Sequence, residues 1–175
     1  MTRSVSPAEA KACCAAAYST DLVAVVLGES YHPGGRALTR RLAGLTGLRA
    51  GQRVLDVATG PGATAVLLAQ EFGVTVDGVD LAAAALERAT AVVQTAGLGE
   101  RVCFHLGDAE RLPFEDAVFD AIICECAFCT FPDKQTAAAE LARVLRPGGR
   151  VGLSDVSLSP GGLPPELAGI AGWVA

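Results

Sequence analysis

No stretch of this 175-residue chain stays apolar for the roughly 18–20 residues that a membrane span requires, although 51% of its residues are hydrophobic. Basic charge is scarce too. Fourteen Lys+Arg stand against 19 Asp+Glu, for a net charge of −5, and no long stretch concentrates the basic residues. An electrostatic grip on nucleic acid or anionic lipid is therefore unsupported, and a small partner is expected. No secretory signal is expected, because Arg3 is followed by Pro7, Glu9 and Lys11 rather than by an apolar run. The expected location is the cytoplasm, where the six cysteines would be thiols unless a metal, a metalloid or a redox cycle engages them. There is no internal repeat and no low-complexity linker. What remains is a chain too apolar for disorder, of a length that suits one domain burying on the order of 70% of its unfolded surface.

What is present is alternation. Short β-branched runs at 53–58, 74–80, 102–106, 119–124 and 150–154 take turns with Ala/Leu-rich helical stretches at 63–72, 82–96 and 134–145. That order signals βαβ units, an α/β fold and a parallel sheet. Residues 107–118 read as loop, and Pro147-Gly148-Gly149 as a helix stop and turn before the fifth strand. Before residue 50 two or three helices are expected. Ser6 caps the first, with Pro7 at its opening position and Glu9 completing a capping box, and Leu38, Leu42 and Leu45 recur at helical spacing further on. The expected organisation is a helical cap over 1–49, a cofactor-binding core over 50–158, and a C-terminal helix within 159–175. The last segment leaves no room for further strands, so either the sheet ends on an exposed edge or the chain is a piece of a longer protein.

The chemistry gathers at strand ends. Val54-Leu55-Asp56-Val57-Ala58-Thr59-Gly60-Pro61-Gly62-Ala63-Thr64 sets a buried strand, a two-glycine loop and a helix start in sequence. Such a loop lets backbone N–H groups approach a ligand at the positive end of a helix. Alone it is a weak signal, shared with dinucleotide enzymes and tight structural turns, and Ala65 replaces the third glycine of a dinucleotide fingerprint. Asp80 ends the second strand about twenty residues later, where a carboxylate can accept from both ribose hydroxyls, and Asp108 follows the third strand. With Asp56, three carboxylates face the carboxyl edge of the sheet. A pyrophosphate would meet repulsion there; a cationic ligand would be welcome.

These features, with Asp108-Ala109-Glu110-Arg111-Leu112-Pro113-Phe114, Phe119-Asp120-Ala121 and Leu145-Arg146-Pro147-Gly148-Gly149-Arg150, resemble the Rossmann-like (class I) S-adenosylmethionine-dependent methyltransferases, small-molecule group, over about residues 51–155. The resemblance implies a mostly parallel sheet flanked by helices, S-adenosylmethionine as cofactor and a small-molecule acceptor. It implies that the loop of Ala58, Thr59, Gly60 and Gly62 meets the methionine part, Asp80 with its neighbour Leu81 the ribose, and Asp108 with Ala109 the adenine. Asp56 would support the loop and the methionine ammonium, and Cys124 would border the cofactor.

Cys124-Glu125-Cys126-Ala127-Phe128-Cys129 follows the fourth strand, where methyltransferases of this group place residues that meet the acceptor. Glu125 is the carboxylate placed to orient a substrate or accept a proton, with a solvated loop carboxylate as the plain alternative. The cysteine string lacks the second C-x₂-C and the histidine of a zinc site. Cys13-Cys14, Cys126 and Ser154-Asp155-Val156 resemble the arsenite methyltransferases, and in that resemblance Cys13 or Cys14 and Cys126 would hold As(III) as soft ligands. Cys103 reads as a core thiol, and His105 as a satisfied or solvated strand residue. Tyr31-His32-Pro33-Gly34-Gly35 is a turn into a helix or, by analogy, part of a lid over the cofactor, with Tyr18 a weaker candidate. Trp173 serves packing or a subunit contact, which leaves a homodimer open. A binding module without turnover is the rival from another class.

Overall fold

The computed structural model describes Ser6, Glu9, Lys11 and residues 32–157. Cys13, Cys14, Tyr18, Tyr31, Gly161-Gly162, the expected C-terminal helix and Trp173 lie outside the described residues. The described elements are α1 (Gly35–Thr46), β1 (Arg53–Val57), α2 (Ala63–Phe72), β2 (Thr75–Asp80), α3 (Ala83–Thr95), β3 (Val102–Leu106), β4 (Phe119–Glu125), a single 3-10 turn (Phe128–Thr130), α4 (Lys134–Val144) and β5 (Leu145–Ser154).

The five strands form one parallel sheet in the order β3-β2-β1-β4-β5. The chain runs outward from β1 to β3, returns across β1, and continues outward from β4 to β5. The carboxyl ends of β1 and β4 therefore diverge at the point where the order reverses, and a crevice opens between them. Helices on both faces make the central strands apolar throughout, so side chains alternate between two cores. Val54, Val76, Ala121 and Ile123 face α1, α2 and α3, whereas Leu55, Val57, Val79, Ile122 and Cys124 face α4 and the loop after β3.

Helix α2 owes its place to this burial, since Thr64 through Ala69 are all buried. It starts immediately after Gly62, whose φ of +82° is a left-handed conformation that an L side chain adopts only with strain. A Cβ on Gly62 would stand 2.9 Å from Ala89 Cβ and 2.9 Å from Phe104 Cζ, so the glycine also lets the loop sit down on α3 and β3.

At the amino end, the Ser6 backbone N–H donates to Glu9 Oε2 (2.8 Å), while the Glu9 N–H donates to Ser6 Oγ (3.3 Å). This is the reciprocal pattern of the expected capping box. Three expectations need correction. β5 begins at Leu145 rather than at 150, so Pro147-Gly148-Gly149 lies inside the strand. As the terminal strand of the sheet order, β5 can hold a proline whose missing N–H no ladder needs, and a register shift between Phe119 and Ala121 absorbs the irregularity. Cys103 is exposed instead of core, because β3 is the opposite terminal strand among those described and no described helix covers its Cys103 face. Glu125 is not a solvated loop carboxylate: it closes β4 with its side chain only 4% exposed.

Candidate functional site

Among the described residues, a cavity opens at the carboxyl ends of the strands. Asp56, Ala58, Thr59 and Gly60 line it from β1 and the glycine loop, Asp80 and Leu81 from the end of β2, and Asp108 and Ala109 from the loop after β3. Glu125 and Cys126 line it from β4. Two expected residues stand back from it. Gly62 caps α2 beneath the loop, and Cys124 is fully buried in the core, where desolvation raises its thiol pKa. Sequence reasoning missed Lys11, Thr64, Phe131 and, behind the wall, Thr39. None of these carries a local motif; only the fold brings them here.

The cavity rim is strained at two matching points. Ala58 and Cys126, each just beyond a central strand, have φ of +57° and +51°. Non-glycine residues in this region are uncommon and persist where the surroundings over-determine them. The Cys126 N–H is held by Ser154 O (2.8 Å), and the neighbouring Thr59 N–H by Val79 O (3.1 Å).

Four carboxylates dominate the electrostatics. Asp56 is buried and accepts from Thr59 Oγ (2.5 Å). Burial pushes its pKa up to about 8; the Thr59 hydrogen bond opposes this, and the charges of Glu125 and Asp80 reinforce it. Asp80 is raised as well, first by burial, while the backbone N–H groups of Ala82 (2.8 Å) and Gly60 (2.9 Å) pull the other way. Asp80 thereby ties the glycine loop to the end of β2. Asp108 accepts from the Glu110 N–H (2.9 Å) and from Lys11 Nζ (2.7 Å), and Lys11 pairs with Glu110 too. Burial opposes the Lys11 charge, but the hydrogen bonds to Asp108 and Glu110 outweigh it and hold the ammonium above its ordinary pKa.

A carboxylic acid whose pKa rises on folding binds more protons in the folded than in the unfolded chain between its two pKa values. For Asp56 that window runs from about 4 to about 8, and stability must fall with rising pH across it, by at most about 1.4 kcal/mol per unit. Asp80 has the same sign. We expect the ligand-free protein to melt higher at pH 6 than at pH 8.5, and Asp56→Asn to flatten that difference. A melting temperature that climbs over this range in the wild type and not in the variant would reverse the assignment.

Glu125 is built differently. Its Oε2 accepts from Thr39 Oγ (3.0 Å) on α1 and from Thr64 Oγ (2.9 Å) in the first turn of α2. His32 Nε2 lies 3.3 Å from the Thr39 hydroxyl and 3.6 Å from Oε2, and His32 lines the cavity while also forming the turn into α1. Oε1 is buried and has no partner. Beyond it, Cys126 and Cys129 are raised to about 11 and about 12 by burial and the nearby Asp155, so both thiols stay protonated at neutral pH. His105, on the far side of the sheet edge, is satisfied by Asp77 (2.8 Å) and takes no part.

A glycine loop, an acid at the end of β2 and another after β3 all line one crevice of a 3-2-1-4-5 parallel sheet. The methyltransferase domain model matches residues 54–149. This chain belongs to the methyltransferase domain family. It is 41% identical over 128 residues to 27-O-demethylrifamycin SV methyltransferase of Amycolatopsis mediterranei, covering 72% of this chain and 47% of that one. It spans about half the length of the curated relatives it matches. Among solved structures, the [4+2]-cyclase SpnF superposes with a TM-score of 0.66 at 32% identity, covering 67% of this chain and 43% of that one. The phosphoethanolamine N-methyltransferase 2 of Haemonchus contortus, in complex with phosphomonomethylethanolamine and S-adenosylhomocysteine, gives 0.78 at 27% identity, covering 87% of this chain and 36% of the other. This similarity agrees with the class I methyltransferase fold expected from the strand-end motifs. None of the described helices is long and apolar enough to cross a membrane.

Proposed function

We propose that this chain binds S-adenosylmethionine and transfers its methyl group to a small organic acceptor. The observation that carries the reading is the convergence of Asp56, Asp80, Asp108 and Glu125 on one cavity with Lys11 as the cation facing it among the described lining residues. The residues present fit such a group: the cavity is acidic where a sulfonium and an ammonium would lie, and a buried carboxylate oxygen there has no partner. When bound, the cofactor supplies an activated methyl group and leaves as a neutral thioether. Relatives named as methyltransferases of rifamycin-type and phosphoethanolamine-type molecules support a small acceptor.

The chain's own residues then have clear tasks. Asp80, oriented by the Gly60 and Ala82 N–H groups, keeps lone pairs available for vicinal hydroxyls. Asp108 and Ala109 border the base, and the Ala58–Gly62 loop the amino-acid part. Cys126 stands where donor and acceptor meet, and holding the two at about 3–3.5 Å in line lowers the barrier by several kcal/mol. Because Cys126 is kept as a neutral thiol, first by burial and then by Asp155 and Glu125, it does not compete as a nucleophile for the methyl group. For the arsenite alternative, the other thiols needed, Cys13 or Cys14, lie outside the described residues.

Adenosylhomocysteine at about a hundred times its Kd should stabilise the fold by roughly 2.7 kcal/mol and raise the melting temperature by several degrees, whereas NAD should not. The same sample, given labelled donor and a panel of phenols, alcohols and amines, should release methylated product. Binding without any methyl loss would make the chain a binding module, and no shift with adenosylhomocysteine would remove the donor site.

A further inference from the structure

We propose that Glu125, clamped by Thr39 and Thr64 and backed by His32, is the residue that reads the α-ammonium of the donor's methionine part, through its free Oε1. This rests on the donor reading given above. Three observations lead to it. First, Oε1 is buried and unpartnered on a side chain 4% exposed that lines the cavity, and an acceptor in that position calls for a hydrogen from a ligand. Second, Oε2 is fixed by two hydroxyl groups, one on α1 and one in the first turn of α2, directly after the glycine loop. The carboxylate is thus held beside the glycine loop and cannot swing its free oxygen elsewhere.

Third, the surrounding charge selects the kind of hydrogen donor. Asp56 and Asp80 share the cavity with Glu125, and among the described residues that line it only Lys11 is a permanent cation, already paired with Asp108 and Glu110. A neutral hydroxyl would satisfy Oε1 but add nothing to balance the acid groups around it; an ammonium does both. The donor's sulfonium carries charge but no hydrogen to give, so its α-ammonium is the matching group. Thr39 spends its one hydroxyl proton on Glu125, which leaves its lone pair to accept from His32 when the imidazole carries a proton on Nε2. Thr39 and His32 are accordingly positioning residues.

The test is calorimetry on the full chain with two probes: adenosylhomocysteine, which has the ammonium, and 5′-methylthioadenosine, which lacks the whole amino-acid end. Glu125→Gln keeps the shape and removes the charge. It should weaken adenosylhomocysteine by roughly ten- to a hundredfold while changing methylthioadenosine less than about threefold. Thr39→Val should reproduce a smaller, equally selective loss that Thr39→Ser restores. Unchanged adenosylhomocysteine affinity in Glu125→Gln, or an equal loss for both probes, overturns the assignment and leaves the donor reading intact. A wild-type chain that binds neither probe overturns both. If Glu125→Gln fails to fold, the Thr39 pair decides by the same ratio.

Discussion

Asp80→Ala is expected to weaken adenosylhomocysteine binding by more than about tenfold and to loosen the loop that receives it. One carboxylate here does two things. It presents oxygens to the cavity, and it holds the Gly60 and Ala82 N–H groups at 2.9 Å and 2.8 Å. Hydrogen bonds to a charged group contribute about 1.5–3 kcal/mol each, or roughly 10- to 100-fold in affinity. Against this, deletion relieves a buried negative charge close to Asp56, so the free protein should lose little stability, and Asp56 should titrate lower. Asp80→Asn separates the contributions in part: its single amide oxygen can accept from one of the two N–H groups, and the charge is gone. Unaltered affinity in Asp80→Ala, measured by calorimetry, would take Asp80 out of the site.

Gly62→Val is expected to have the largest effect on folding. A β-branched residue at φ +82° costs about 1–2 kcal/mol for the left-handed backbone. The overlap with Ala89 and Phe104 adds about 1–3 kcal/mol of overpacking. The sum is a large share of the 5–15 kcal/mol that holds a domain together. Gly60→Ala is the control, since its φ of +53° is strained but a Cβ there meets nothing within 4 Å. Urea denaturation should rank the two variants far apart; equal midpoints would mean that the loop lifts off α3 without cost.

The strand-end carboxylates were legible because short β-branched runs separated by helical stretches signal a parallel sheet, whose carboxyl edge then gathers the acids at or near the strand ends. Asp56, Asp80 and Asp108 all line the cavity, as the alternation implies. Glu125 was legible in position but not in character. Its burial depends on Thr39 and Thr64, respectively 86 and 61 residues away, and no local pattern announces a hydrogen bond across that separation. The start of β5 was misplaced for a related reason. Pro147-Gly148-Gly149 is turn punctuation by composition, and within β5 it stays out of the ladder, since pairing passes from Phe119–Leu145 directly to Ala121–Arg150. Cys103 failed similarly, since alternation places a side chain on a face without saying whether a helix covers that face.

The Lys11 ion pairs bear on how the protein should be handled in the laboratory. Lys11, 97 positions upstream of Asp108 and 99 upstream of Glu110, is anchored at the cavity by these pairs. A label attached close to Lys11 would stand beside the doorway, and any binding rate measured with it in place would describe the label as much as the site.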